Sequence, residues 1–242
     1  MPDELCKVLE WDSAFFGRRI ARYCGDDLRE ETAAAALDWC HRHKIDCLYV
    51  LLREEPESIA IAERCGFVHV DTRITLARTL ADLGQAPAQV RSADASDIPA
   101  LRAIARCGHH DSRYYHDPHF PREACDALYE TWIERSCQGW ADRVLVTPPD
   151  GPPGGYISCH VLPDGSGSIG LIAVGVEHRR NGYAGRLVSG AFEYFRDRAV
   201  RTVRVVTQER NGGGRRLYER HGFSVESREI YYHAWPAERG ES

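Results

Sequence analysis

The sequence predicts a mixed α/β fold in two parts, and three observations predict it. Short apolar strands alternate with amphipathic helices through the second part. A helix, strand, helix and Gly-Phe series occurs twice at one offset. Between the parts lies ADLGQAPAQV, at 81–90, whose Gly and Pro suit a linker. The expected division is 1–85 and 86–242.

The first part is legible mainly through its echo. Glu63-Arg64-Cys65-Gly66-Phe67 matches Glu219-Arg220-His221-Gly222-Phe223 at an offset of 219 − 63 = 156. At that offset the apolar run CLYVLL, 47–52, falls on VRVVTQ, 203–208, and Trp39 falls on Phe195. Tyr23 then stands where the second copy has Arg179, and Ala62 where it has Tyr218. In the second part a short strand ends at Val90-Arg91, and Ser96 or Asp97 is expected to cap a helix with Ile98, Leu101, Ile104 and Ala105 on its apolar side. PREACDALYETWI continues with a helix through Cys125, Leu128, Tyr129 and Trp132. RVLV (143–146), YISCHVL (156–162) and IGLIAV (169–174), joined by DGPPGG and PDGSGS, predict an antiparallel meander. Ala184, Leu187, Val188, Ala191, Phe192 and Phe195 recur at helical spacing; RTVRVVTQ is then a strand, RRLYERHG a helix closed by glycine, and FSVESREIYYHAW a final strand.

Composition narrows the function. A chain of 242 residues, 43% hydrophobic, can bury a sizeable core. Lys+Arg of 31 against Asp+Glu of 36, with the basic residues scattered, excludes nucleic acid as the default partner. Mean hydropathy is -0.44. No apolar run approaches the roughly eighteen residues of a membrane span, and MPDELCKVLE lacks an apolar signal core, so a soluble cytoplasmic protein is expected. Nine cysteines without a Cys-x-x-Cys pair read as reduced, buried small hydrophobes. CGHHDSRYYHDPH, from Cys107 to His119, concentrates metal-type ligands but lacks the spacing of a tetrahedral site, so no metal is expected.

Arg179-Arg180-Asn181-Gly182-Tyr183-Ala184-Gly185 lies between a strand and a helix, where glycine lets backbone N–H groups approach an anion and the first helical amides lack internal partners. With Arg186 it reads as a phosphate loop, although it matches neither ordinary nucleotide motif. Further on comes Asn211-x-x-Gly214-x-x-Leu217-Tyr218-x-x-x-Gly222-Phe223. The two motifs together resemble the GCN5-related N-acetyltransferases. Arg179, Gly182 and Ala184 meet that family's Gln/Arg-x-x-Gly-x-Gly/Ala signature, and the second pattern departs from it only at Gly214, where the family has alanine. Element order from 88 to 235 is also the family's.

The resemblance implies the family fold, with a central twisted mixed sheet, and acetyl-CoA as co-substrate. It implies donor contacts from a bulged strand, Leu171, Ile172, Ala173 and Val174, and from Arg179 through Arg186. Tyr218 would protonate the leaving thiolate, and Asn211 would hold the CoA arm by its amide. A narrower resemblance rests on WDSAFFG (11–17), DSRYYHDPHFP (111–121), LYETWI (128–133) and SIGLIAV (168–174). These stretches are similar to bacterial acetyltransferases of dTDP-linked 4-amino-4,6-dideoxy-sugars, which carry an incomplete acetyltransferase-like N-terminal domain. By that likeness the acceptor is a nucleotide-linked amino-sugar, with Asp111, Arg113, Tyr114, Tyr115 and Trp132 as candidate contacts and His109, His110 or Asp111 as candidate bases. Trp11, Phe15 and Phe16 are expected as packing anchors. Another amine acceptor, or a CoA sensor without catalysis, stays open, and a homodimer is the assembly common among such enzymes.

Overall fold

A computed structural model describes residues 5–80 and 89–236. Most of the expected linker therefore lies outside the described residues. In chain order the elements are β1 (Cys6–Val8), α1 (Glu10–Phe16), β2 (Ile20–Tyr23), α2 (Glu30–Arg42), β3 (Cys47–Arg53), α3 (Pro56–Arg64) and β4 (Val68–Thr79). Then come β5 (Arg91–Ser92), α4 (Ile98–Arg106), α5 (Arg122–Arg135), β6 (Arg143–Thr147), β7 (Gly155–Val161) and β8 (Gly167–Val174). The chain closes with α6 (Tyr183–Arg196), β9 (Thr202–Gln208), α7 (Gly212–Arg220) and β10 (Ser224–Ala234).

Two compact units emerge. The first comprises Met1–Arg73, Ser112–Pro121 and Arg228–Ser242; the second comprises Ile74–Asp111 and Arg122–Ser227. The chain thus changes unit inside β4 and inside β10, and DSRYYHDPHFP falls almost wholly in the first unit.

In the first unit the strand order is β1-β2-β3-β10, with β2 and β3 parallel and the other pairs antiparallel. Side chains alternate across a strand, so one face of β3 carries Leu48, Val50 and Leu52. These pack with Ala33, Ala36, Cys40, Ile61 and Ala62 of α2 and α3. The echo holds element by element: α3 begins 156 residues before α7 and ends 156 before it, and Gly66 and Gly222, each following its helix, have φ of 64° and 74°. WDSAFFG, unread as an element in the sequence, forms α1, ended by Gly17 at φ 62°. Within the first unit Phe16 lies 4.7 Å from Phe120 and 5.5 Å from Tyr114.

In the second unit β5 through β8 form the expected antiparallel meander, and β9 joins β8 in parallel. Leu187, Val188, Ala191, Phe192 and Phe195 of α6 pack on Ile157, Cys159, Ile169, Val203 and Val205. Asp94 caps the short turn Ala95–Asp97 that leads into α4, its carboxylate accepting the Ser96 N–H at 2.8 Å; Asp97 holds the N-cap position of α4 but makes no side-chain cap bond there. Asp97 is taken by Arg91, which grips it at 2.6 and 2.8 Å. A wide turn, Ser136–Trp140, extends α5 beyond its expected end, with Gly139 at φ 105°. No disulfide joins the cysteines; Cys6, Cys40, Cys47, Cys125 and Cys159 are buried, whereas Cys24 and Cys107 are exposed, against expectation. No helix among the described residues is long and apolar enough to cross a membrane.

Helix α7 begins earlier than RRLYERHG suggested. Three successive glycines disfavour a helix by about 1 kcal/mol each relative to alanine, yet Gly212 to Gly214 are helical. Asn211 is the reason: its Oδ1 accepts the Gly214 N–H at 2.8 Å, and its Nδ2 donates to Thr207 Oγ1 at 3.2 Å. Removing the cap by Asn211→Ala is expected to cost about 1 kcal/mol in urea unfolding, whereas Asn211→Asp keeps the acceptor oxygen and most of that stability. An unchanged midpoint in Asn211→Ala would show that the glycines hold their turn unaided.

Two enclosed histidines set the acid response. Burial pulls His109 and His233 down to about 4 from 6.5, the latter despite its Nδ1–H donated to Asp117 at 2.5 Å. Burial opposes the charge on Asp117, but hydrogen bonds from His233 and His119 hold its carboxyl at about 2. In the unfolded chain both histidines bind protons below about 6.5 that the folded chain refuses, so stability falls as pH drops from 6.5 to 4. The Asp117 contribution is lost later, from 3.8 towards 2. Melting curves across this range should show a falling Tm, shallower in His109→Gln; a level Tm between pH 6.5 and 4 would contradict it.

Candidate active site

The site in the second unit starts from one irregularity in β8. Ile157 stands opposite Ile172 and Cys159 opposite Ile169, so Gly170 and Leu171 face Ser158 alone, which is a bulge. Ser158 Oγ accepts the Leu171 N–H at 2.8 Å and ties the bulge down. Gly170 has to be glycine, because a Cβ there would lie 2.7 Å from both Ser158 Oγ and His160 Nε2. Parallel pairing with β9 runs from Gly167 to Ile169 and stops at the bulge. Beyond it the strands part.

The parting opens a cleft of about 620 Å³, lined on one side by Ile172, Ala173 and Val174 and on the other by Asn211, Gly213, Gly214, Leu217 and Tyr218. At its mouth the loop into α6 reverses through Arg180 at φ 64° and Gly182 at φ 78°. Left-handed residues in such a turn aim successive amides inward, as an anion site requires. No acidic residue occupies the first turn of α6, and no side chain caps it, so its N-terminal amides and positive dipole end are unopposed. Arg179, Arg180, Arg216 and Arg220 line the cleft against a single carboxylate, Asp111. That excess suits a polyanion. Arg179 is positioned by the carbonyls of Val174 and Cys107, to which it donates at 3.4 and 3.3 Å.

Tyr218 is 3% exposed, and burial raises its phenol above the usual value. Phe223 meets its ring edge-on at 5.6 Å. Of the expected donor residues, Ile172, Ala173, Val174, Arg179, Arg180, Ala184, Asn211 and Tyr218 line the cleft. Leu171, Asn181, Gly182, Tyr183, Gly185 and Arg186 do not line it. Tyr183 instead stacks on His178 at 5.4 Å, with the Arg186 guanidinium 5.3 Å from its ring centre. Arg216 and Arg220 were missed in the sequence, although their spacing of four on one helix was the available signal.

The acceptor candidates fall in both units. Asp111 lines the cleft. Trp132, also in the second unit, meets Tyr129 edge-on at 5.2 Å. Arg113, Tyr114 and Tyr115 belong to the first unit. There Tyr114 is a packed ring, 2% exposed, and the Arg113 guanidinium lies 4.2 Å from the rings of Tyr114 and Tyr231 and 4.7 Å from that of Tyr49. His109 stacks on Tyr129 at 4.4 Å and bonds the Tyr156 hydroxyl at 2.9 Å. Held at about 4, it is a weak base. His110 is exposed beside Arg122, at 3.2 Å. Among the described residues no His, Cys, Asp and Glu side chains group as metal ligands.

Comparison with known proteins now adds to this geometry. Residues 104–223 match the acetyltransferase (GNAT) family. The chain is 33% identical over 142 residues to the spore coat polysaccharide biosynthesis protein SpsD of Bacillus subtilis, covering 58% of this chain and 48% of that protein. It thus spans under half of that relative. It is 29% identical over 167 residues to the dTDP-fucosamine acetyltransferase of Escherichia coli, covering 68% of this chain and 70% of that one. In fold it resembles a GCN5-related N-acetyltransferase from Sphaerobacter thermophilus, with a TM-score of 0.64 at 18% identity over 96% of this chain and 76% of that one. A tandem GNAT protein from the clavulanic acid biosynthesis pathway gives a TM-score of 0.56 at 17% identity, over 90% and 75%. The bulged strand, the cationic helix start and the buried tyrosine occupy the matched segment, and residues 104–223 form a domain of the acetyltransferase (GNAT) family.

Proposed function

We propose that the protein transfers acetyl from acetyl-CoA directly to the amino group of a nucleotide-linked amino-sugar of the dTDP-4-amino-4,6-dideoxyhexose type. The observation that carries the donor half is the cleft itself, which combines a strand edge freed from its neighbour, an arginine-lined mouth and one buried tyrosine. These residues fit acetyl-CoA: the mouth suits its phosphates and the freed edge its amide-bearing arm. Bound there, acetyl-CoA supplies an acetyl group already activated as a thioester.

The chain's residues then do three things. Amides of the first turn of α6, with Arg179 and Arg180, hold the pyrophosphate. Backbone N–H groups of Ile172 to Val174 hold the pantetheine arm and polarise the carbonyl. Tyr218, kept protonated by its burial, delivers a proton to the sulfur as it leaves. Asn211 lines the cleft, where its amide meets the CoA arm, and it also positions Tyr218, because its Oδ1 caps α7 while its Nδ2 donates to Thr207 of β9. No side chain is assigned as a base, because an amine that arrives neutral needs none.

The acceptor class rests on the two curated relatives, one named for polysaccharide biosynthesis and the other for dTDP-fucosamine. Residues of the first unit form, in this reading, a partial acetyltransferase-like half that binds no CoA. Glu30 and Glu31 in the first turn of α2 oppose an anion where α6 has no acid, and Tyr23 and Ala62 stand at the places of Arg179 and Tyr218.

Tyr218→Phe is expected to lower turnover by about 10²-fold while leaving acetyl-CoA affinity within a factor of about two, since the hydroxyl matters chiefly as the thiolate leaves. Rapid-quench turnover near the unmodified rate would reduce Tyr218 to a packing residue. Acetyl-CoA should raise Tm through mass action, and Gly182→Val, which forces a β-branched residue into φ 78°, should abolish most of that rise. A rise of full size in Gly182→Val would place the phosphates elsewhere.

A further inference from the structure

The first unit has a cleft of its own, about 490 Å³, and it does not lie on the hydrophobic face of its sheet. Strand register explains its chemistry. Arg22 stands opposite Tyr49, Tyr49 opposite His233, Leu51 opposite Tyr231, and Arg53 opposite Glu229. Residues directly opposite share a face. This face is therefore the one turned away from Leu48, Val50, Leu52, Ile230 and Tyr232, which form the core with α2 and α3. Arg22, Asp26, Tyr49, Leu51, Glu229 and Tyr231 line the cleft.

Three features describe what it would hold. Both acids are already neutralised, Asp26 by Arg53 at 2.8 Å and Glu229 by Arg73 at 3.5 Å. Arg22 is exposed and has no ion pair among the described residues, so the charge left to a ligand is positive. The half-buried Tyr231 ring has the Arg113 guanidinium 4.2 Å from its centre, which fixes an aromatic surface beside that charge. Tyr49 is 2% exposed, yet its hydroxyl finds no hydrogen-bond partner among the described residues. A buried hydroxyl in that condition calls for an explanation.

We propose that this cleft binds a nucleoside diphosphate, with the phosphates at Arg22, a ring on Tyr231 and a polar atom of the ligand at the Tyr49 hydroxyl. The volume lies within the roughly 300–1,000 Å³ of small-molecule sites. The assignment rests on the acceptor class proposed above, and it gives that acceptor's nucleotide a place in the first unit.

Calorimetry on the full chain without acetyl-CoA tests it, using thymidine diphosphate, thymidine and pyrophosphate as probes. Thymidine diphosphate should bind, about 10-fold more weakly to Arg22→Ala, from which one charge-assisted contact is lost. Tyr49→Phe should weaken it about 5-fold while the free protein melts no lower, because the substitution removes an unpartnered buried hydroxyl. Equal affinity in both variants, no binding at all, or pyrophosphate binding as tightly as thymidine diphosphate would each overturn the assignment. Acetylation of a dTDP-linked amino-sugar is followed in parallel, and Arg22→Ala should raise its KM with kcat and the acetyl-CoA KM unchanged. Transfer only to nucleotide-free amines would defeat the proposed acceptor class. Transfer to the sugar nucleotide with an unmoved KM in Arg22→Ala would defeat the cleft assignment alone.

Discussion

The hydrogen bond from the Leu171 amide to Ser158 Oγ is small, and most of the second unit's working geometry depends on it. It settles two residues of β8 opposite one of β7, which turns the remainder of β8 away from β9. A regular parallel pair would have spent every other N–H group between Ile172 and Val174, those not turned towards β7, on the neighbouring strand. Released from that partner, the edge faces a cleft whose far wall is α7. The glycine at 170 is the sequence's concession to this packing, since any side chain there would strike Ser158 and His160.

The two halves of the echo show how little must change for one architecture to attract an anion or repel it. Helix α6 begins after a left-handed glycine with no acid in its first turn, whereas α2 begins with Glu30 and Glu31. The macrodipole is the same in both helices; only in α2 is it answered from within the chain. Backbone topology alone therefore assigns no chemistry, and the side chains at the helix starts decide it.

Much of this was legible in the sequence, for identifiable reasons. The meander of β6 to β8 and the apolar stripe of α6 rest on period and turn residues, which are local properties. The repeated Glu-Arg-x-Gly-Phe marked where α3 and α7 end, because a glycine at positive φ after a helix leaves few alternatives. Tyr218, Arg179 and Ile172 to Val174, which the family resemblance implied, line one cleft. What remained hidden was long-range. That Tyr49 and Tyr231 become neighbours around Arg113 shows only when β3 and β10 are paired. That Asn211 also caps α7 and donates to Thr207 shows only when β9 and α7 are placed side by side. Asp97 looked like a cap because the demand of Arg91 for a carboxylate is invisible in a window of a few residues.

The interleaving of the units bears on how the chain is made. Strand β3 is complete early in synthesis, but its partner along one edge, Glu229 to Ala234 of β10, lies near the other end of the chain. Ser112–Pro121, too, leaves the ribosome long after β3. The first unit to be synthesised is thus the last to finish folding: its sheet waits with an open edge while the second unit forms, and closing that edge spans nearly the whole sequence. During translation this waiting edge, bearing Tyr49 and Leu51, is the part of the nascent chain most in need of protection from pairing with another copy.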